Sequence, residues 1–270
     1  MHTSIDEAAR VLAEANMTVA LTGAGISVES GIPPFRGKGG LWEKFDPMTY
    51  AHIDAFRRDP KKVWQVLLKT LSDTLTKARP NRAHKGLADL ERRGCLRAVI
   101  TQNIDGLHQQ AGSREVIEFH GTMAHHRCLS CDRGIRTKHV DLNELPPRCD
   151  CGGVLRPEIV FFGEAIPIAA LGNSEQFARM CDAMLVVGTS ATVEPAASIP
   201  RIAKAHGARV IEINPEPTPR TPTISDIRRM GPAGDLVSEH VKAREKNVFV
   251  GIFNGHKSLF SLLIQQNRNR

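Results

Sequence analysis

The 270-residue chain has no apolar run long enough to cross a bilayer, no apolar signal core near its first residue, no internal repeat and no low-complexity tract. The first two absences exclude a membrane-spanning helix and set the expectation of a cytoplasmic protein with no membrane partner. The other two leave a repeat architecture or a long disordered linker without support. Tyrosine occurs once, as Tyr50. Lysine and arginine number 36 against 29 acidic residues, for a formal net charge of +7 and a pI near 9.3, yet no basic run stands out. That surplus favours polyanionic neighbours, a chromatin-associated or other polyanion-associated substrate among them, with ordinary solubility charge as the alternative. Six cysteines in a reducing compartment point to metal binding or plain burial before disulfides.

The chain is long enough for one large domain with a smaller insertion. Ser4 and Glu7 form a capping box for a helix through Ala15, and Thr18 to Thr22 reads as a buried strand. Asp59-Pro60 opens an amphipathic helix to about Leu75, and Asn81 opens another that stops near Gly94. Apolar runs at 98–100, 184–187 and 210–213 each end at a polar or glycine residue. Strands alternating with helices imply a doubly wound parallel sheet of Rossmann-like α/β class, where ligand groups gather at the carboxyl ends of strands.

The first such end carries Gly23-Ala24-Gly25. Gly23 suits a tight turn out of the strand, and Gly25, lacking a Cβ, would let the main chain donate N–H groups to a pyrophosphate. Val28 stands where the dinucleotide fingerprint has its third glycine, so the fragment alone is a weak signal. Downstream, Ser27, Ser30, Phe35 and Arg36 add hydroxyls, an aromatic face and a guanidinium suited to phosphate. After the second strand come Gln102, Asn103, Ile104 and Asp105, then His108. Asn103 and Asp105 can serve a carboxamide, and Gln102 can reach a ribose hydroxyl; a turn-forming role is the alternative for the Asn and Asp. His120, followed by Gly121, is placed to act as a general base near neutral pH, although a lone histidine is more often structural.

Cys128-x-x-Cys131, 17 intervening residues and Cys149-x-Cys151 approximate the two knuckles of a four-thiolate zinc ribbon within an inserted segment at about 124–156. The second pair is one residue short, and Gly152-Gly153 after it supply the freedom to compensate. Four thiolates leave no open coordination position, so a structural ion is expected; His125, His126 and His139 are the fallback ligands. Cys95 and Cys181 read as buried thiols.

Taken in order, Gly23-Ala-Gly-Ile-Ser27, Gly31-Ile-Pro-x-Phe-Arg36, Gly40-Leu-Trp42, Thr101-Gln-Asn-Ile-Asp105, His120-Gly121, the cysteine pairs, Phe162-Gly-Glu164, Gly188-Thr-Ser190, Asn214 and Gly231-Pro-Ala-Gly234 resemble the sirtuin family of NAD-dependent protein deacylases. The resemblance runs over most of residues 5–240. It implies a Rossmann-like large domain (1–37, 80–123 and 157–243), a helical small domain (38–79) and a zinc module (124–156), with NAD and an acyl-lysine peptide meeting in the cleft. Residues 244–270, with a hairpin-type turn at Asn254-Gly255, form an extension of no assigned role.

By position, the resemblance gives Ala24, Ile32, Phe35, Asn103, Ile104 and Asp105 to the nicotinamide pocket, and Gly188, Thr189, Ser190, Asn214, Glu216 and Ala233 to the adenosine part. It implies attack of the acyl carbonyl oxygen on the ribose carbon bearing nicotinamide, giving an O-alkylimidate. His120 then takes a ribose hydroxyl proton, and free lysine and O-acyl-ADP-ribose leave. Zinc would only hold the small domain. Two segments, Val160, Phe161, Phe162, Gly163 and Glu164, and Thr192, Val193 and Glu194, would clamp an extended peptide as an added strand.

Family members that favour acidic acyl chains carry Tyr-x-x-Arg on the helix corresponding to 63–71, which here lacks both residues. An apolar lining from Val66, Leu67 or Leu68 suits acetyl or longer neutral chains; the alternative is that these residues are simply the helix's core face. Two other functions remain open at this point. One is a mono-ADP-ribosyltransferase or NAD glycohydrolase, the other a non-catalytic zinc-containing nucleic-acid-binding module.

Overall fold

A computed structural model describes residues 2–37, 39–218 and 221–237. The strands are β1 (Thr18–Thr22), β2 (Ala98–Thr101), β3 (Val116–Glu118), β4 (Gly121–Cys128), β5 (Gly134–Arg136), β6 (Leu155–Ile159), β7 (Ala183–Val187), β8 (Arg209–Asn214) and β9 (Ile227–Met230). Six of them form a sheet in the order β3-β2-β1-β7-β8-β9, and every pairing in it is parallel. The order runs outward from β1 in both directions, so the topological switch lies between β1 and β7. Strand ends there are level: Thr22 pairs with Thr101 and Val187, Thr101 with Glu118, and Val187 with Ile213. The residues just past these positions therefore line one crevice.

Both sheet faces are buried because successive apolar side chains alternate between two cores. Ala20, Val99, Leu185 and Ile211 pack with helices α1 (His2–Glu14) and α7 (Arg82–Arg92). Val19, Leu21, Ile100 and Val210 pack on the other side with α9 (Ile168–Met180) and α10 (Ser198–Ala205). This is the doubly wound α/β arrangement the alternation of elements implies. Helix α1 begins at His2, so Ser4 lies inside it and the expected capping box does not open it. The Glu7 carboxylate accepts from Arg209 instead, at 3.0 Å, and buried Ala8, Ala9 and Leu12 anchor the helix.

A helical lobe contains α2 (Leu41–Lys44), α3 (Pro47–Tyr50), α4 (Ile53–Arg58), α5 (Pro60–Val63) and α6 (Lys69–Lys77). Asp59 opens α5 by accepting from the Lys62 N–H at 3.0 Å, and a π-helical stretch, Trp64–Leu68, joins α5 to α6. A three-stranded antiparallel sheet, β5-β4-β6, carries the cysteines. Trp64 binds the two parts together, donating its indole N–H to the Leu155 carbonyl at 3.0 Å and stacking on His126 at 5.5 Å. Helices α8 (Leu107–Ala111) and α11 (Thr221–Ile224) are short, and residues 233–237 are also helical. The turn expected at Asn254-Gly255 and the rest of 244–270 lie outside the described residues.

Candidate active site

Beyond β1 the chain enters a 3-10 segment, Ala24–Ser30, closed by Gly31 in the left-handed conformation. Gly23 donates to the Val187 carbonyl at 3.1 Å, and Gly25 to the Gly188 carbonyl at 2.8 Å. A Cβ on Gly25 would lie 2.7 Å from the Gly188 Cα, and one on Gly188, whose φ is +62°, would lie 2.2 Å from the Ile26 nitrogen. These glycines allow two strand-end loops to pack backbone against backbone. The Gly25 N–H expected at phosphate is thus spent inside the protein, because the loops approach closely enough for it to find a carbonyl.

Ser27 is fully buried beneath this turn and gathers the polar residues of the second strand end. Its hydroxyl donates to Asp105 at 2.7 Å and accepts from the Asn103 side chain at 3.1 Å. Asn103 also donates to the Gly23 carbonyl at 3.2 Å, while Asp105 accepts the N–H of Leu107, the first residue of α8, at 2.9 Å. Gln102 reaches across to the Thr189 hydroxyl at 2.9 Å, and its carbonyl lies 3.1 Å from His120 Nδ1. Gln102, Asn103, Asp105, Ser27, Thr189 and His120 therefore converge at the switch point. Burial pushes the His120 imidazole below its ordinary value of 6.5, partly opposed by the Gln102 carbonyl. It is accordingly neutral at pH 7 and able to accept a proton.

Two residues to which the sequence reading gives no role, His84 and His108, complete this network. His84 Nε2 lies 3.4 Å from the Ser27 hydroxyl, and its Nδ1 faces the Asn81 N–H within the capping box of α7. His108 Nε2 lies 2.9 Å from the Thr22 hydroxyl, which donates to Thr101, and Thr101 accepts the Asn103 N–H. The two rings meet edge to face at 4.9 Å. Burial lowers His84 to about 4, against the pull of Asp105, and His108 to about 3. Asn81-x-x-His84 marks a cap in sequence, but nothing local shows that the ring faces residue 27.

The other expected site residues lie around the same crevice. Ala24 and Ile104 are half-buried, Ile32 is buried, and Phe35 stands 5.4 Å from Trp42; Arg36 is exposed. Asn214, at the end of β8, donates to the Thr189 carbonyl at 3.1 Å. Ser190 and Glu216 are exposed; after β9, Gly231 donates to the Asn214 carbonyl, and Ala233 is buried at the start of the helical residues 233–237.

Residues 160–164 follow β6 directly. Val160 donates to the His120 carbonyl, and Phe162 bridges the helical lobe by donating to Ala51 and accepting from Ile53, all at 2.9 Å. This segment is tied on both sides rather than being an ordinary core strand. Thr192 and Glu194 are exposed, with Thr192 bonded to Ser190 at 2.9 Å and Glu194 paired with Arg201 at 2.8 Å; Val193 is half-buried. Leu67 and Leu68 are buried in the lobe's core with Phe56, Met123 and Phe161, while Val66 is half-buried.

The four sulfurs of Cys128, Cys131, Cys149 and Cys151 lie within 4.8 Å of one another, with Cys128 to Cys151 at 3.5 Å and Cys131 to Cys149 at 3.8 Å. A zinc–sulfur bond of about 2.3 Å gives a tetrahedron edge of about 3.8 Å, so the cluster has the dimensions of a zinc tetrathiolate. The Ser130 N–H points at the Cys128 sulfur at 3.4 Å. The shortened pair works because Gly152 takes φ +84° and a Cβ on Gly153 would lie 2.6 Å from that same sulfur. Of the fallback ligands, His126 is engaged with Thr137 and Trp64, and His125 and His139 are exposed outside the cluster. Cys181 is buried as expected; Cys95, at the turn after α7, is only half-buried.

Residues 23–195 match the Sir2 family. A relative from Pyrobaculum aerophilum named NAD-dependent protein deacylase 2 is 48% identical over 240 residues, covering 87% of this chain and 95% of its own. A Sir2 homologue variant solved with ADP-ribose superposes with a TM-score of 0.85 at 44% identity, over 90% of this chain and 97% of its own. Sir2Af2, solved with a myristoylated histone peptide, gives 0.78 at 38% identity, over 91% and 98%. A match over more than half the chain, a near-half-identical relative spanned almost end to end, and the shared fold lead to one conclusion: this chain belongs to the Sir2 family.

Proposed function

We propose that the protein is an NAD-dependent protein-lysine deacylase that releases nicotinamide, free lysine and O-acyl-ADP-ribose. The observation that carries this reading is the convergence of His120, neutral at pH 7, with the Ser27, Asn103 and Asp105 network at the β1/β7 switch point. The amides, hydroxyls and carboxylate gathered there suit a dinucleotide, which supplies an electrophilic ribose carbon with nicotinamide as its leaving group.

Asn103 and Asp105, with Ala24, Ile32, Phe35 and Ile104, hold and orient the carboxamide end. Thr189, Ser190, Asn214, Glu216 and Ala233 hold the adenosine end, and Gln102 and Arg36 serve the ribose and phosphates. The N–H of Gly25 is committed to Gly188, so this glycine shapes the turn rather than donating to phosphate. His120 takes the proton from a ribose hydroxyl at its unshared ring nitrogen, with Nδ1 oriented by the Gln102 carbonyl. Segments 160–164 and 192–194 receive an extended acyl-lysine peptide by backbone pairing, which keeps flanking-sequence recognition loose. The apolar surroundings of the π-helical stretch favour acetyl or longer neutral acyl groups, and a carboxylate there would be desolvated without a partner.

We assign the catalytic unit to residues 1–243 and place it in the cytoplasm; no helix among the described residues is long and apolar enough to cross a membrane. The test is product analysis with NAD and an acetylated peptide. Equal amounts of nicotinamide, deacetylated peptide and O-acetyl-ADP-ribose are expected. ADP-ribose left on protein would instead establish a transferase, and salt-dependent DNA binding indifferent to NAD, without turnover, would establish a binding module.

A further inference from the structure

The segment proposed to receive the peptide is held in shape by one side chain from outside it. Arg156, on β6, forms a two-pronged ion pair with Glu164, Nη1 to Oε1 at 2.7 Å and Nη2 to Oε2 at 2.8 Å. Its Nη2 also donates to the Ile159 carbonyl at 2.8 Å, and its Nε to the Pro157 carbonyl at 3.3 Å. The guanidinium lies over the Phe161 ring at 5.1 Å, and Glu164 accepts the Phe161 N–H at 2.9 Å. The pair is only 17% and 21% exposed, so solvent screens it weakly. Burial pushes the Glu164 carboxyl upward, but the bonds from Arg156 and from the Phe161 N–H more than offset this and keep it ionised.

A cavity of about 740 Å³ adjoins this segment, its lining including Val160, Gly163, Glu164 and Arg156 together with Ile53 and Arg57 of α4. The hydrogen bonds of residues 160 and 162 to His120 and Ala51 join the segment to the sheet and to the helical lobe. Arg156 supplies the third tie, to the cysteine-bearing sheet, and the planar fork of an arginine fixes orientation as well as distance.

We propose that Arg156 is a positioning residue for the acyl-lysine peptide: through Glu164 it fixes the turn at Gly163, where the Glu164 N–H closes onto the Phe161 carbonyl at 3.1 Å, and so holds the extended residues 160–162 in the form the peptide pairs with, and it takes no part in dinucleotide binding. This inference rests on the deacylase reading above. It predicts that loss of the fork weakens peptide binding selectively.

The experiment compares the wild type with Arg156→Gln, Arg156→Lys and Glu164→Gln, using an acetyl-lysine peptide and NAD, and measures ADP-ribose affinity and Tm separately. Arg156→Gln is expected to raise the peptide KM about tenfold, while kcat at saturating peptide and ADP-ribose affinity stay within twofold. Arg156→Lys, which keeps the charge but not the fork, should recover part of the loss. Combining Arg156→Gln with Glu164→Gln should add little to either alone. An unchanged peptide KM in folded Arg156→Gln would overturn the proposal. So would equal losses in kcat and ADP-ribose affinity, which would make the role generally structural. Should Arg156→Gln not fold, the Arg156→Lys and Glu164→Gln variants decide on the same criteria. Wild-type protein that turns over no acyl peptide would refute the deacylase reading instead, so the two failures are distinguishable.

Discussion

Adding one methyl group at Gly25 should disturb the site from inside the fold. In Gly25→Ala the new carbon would lie 2.7 Å from the Cα and carbonyl oxygen of Gly188, which is 0.7 Å short of the 3.4 Å where ordinary contact begins. Both contacts are backbone, so no side chain can rotate away. The β1 and β7 loops must part, and the 2.8 Å hydrogen bond from Gly25 to Gly188 must stretch with them. Overpacking of this kind costs about 1–3 kcal/mol. For a domain of this size that is a Tm loss of about 2–12 °C. The same displacement moves Ser27 and Gln102, on the β1 and β2 side of the seam, relative to Thr189 on the β7 side. A shift approaching 1 Å at a reacting centre costs about tenfold to a hundredfold in rate.

Thermal unfolding, ADP-ribose titration and deacetylation kinetics would be measured together. Gly172→Ala serves as control: the position is on helix α9 with nothing within 4 Å of the added carbon, so stability should hold or rise slightly. A Gly25→Ala protein with wild-type Tm, ADP-ribose affinity and turnover would refute the argument that close loop packing shapes the site.

His120→Ala should lower deacylation by about 10²–10⁴-fold while leaving ADP-ribose affinity largely intact; full turnover in the variant would remove His120 from the mechanism. Because burial lowers the His120 value, the wild-type rate should be level above neutrality and fall on acidification with an apparent pKa below 6.5; a fall beginning above 7 would contradict this. His84 and His108 stay neutral in the folded protein to about 4 and about 3, whereas both protonate near 6.5 when unfolded. The unfolded chain then binds more protons, so their contribution to stability is complete above pH 6.5 and lost as pH falls toward 4 and 3. Urea midpoints should drop between pH 7.5 and 5, and less steeply in His108→Phe; equal slopes would count against it. Cys149→Ser should lose bound zinc and lower Tm, as measured by metal analysis and calorimetry, and metal retained at the wild-type level would contradict a four-thiolate site.

Much of the architecture could be read directly from residue order. The runs 98–100, 184–187 and 210–213 became central parallel strands because a strand covered on both faces must be apolar throughout, and that pattern is local. The cysteine spacing announced a metal cluster for a similar reason, since knuckle geometry involves only near neighbours. Capping was read less reliably. Asn81 and Asp59 open their helices as expected, but Glu7 pairs with Arg209, a residue 202 positions away, and no local pattern could show it.

The sequence by itself determined the doubly wound class, the strand ends where polar residues collect, the four thiolates and the family resemblance, because each is written in short-range spacing and order. Tertiary structure alone decided what those residues do to one another. It turned the Gly25 N–H from a ligand donor into a loop-to-loop bond and placed His84 and His108 beneath Ser27 and Thr22. It buried Leu67 in a core and set Arg156 against Glu164. The physical reason is that hydrogen bonds, desolvation and close packing depend on distance in space, and chain order leaves those distances open until the sheet has closed around them.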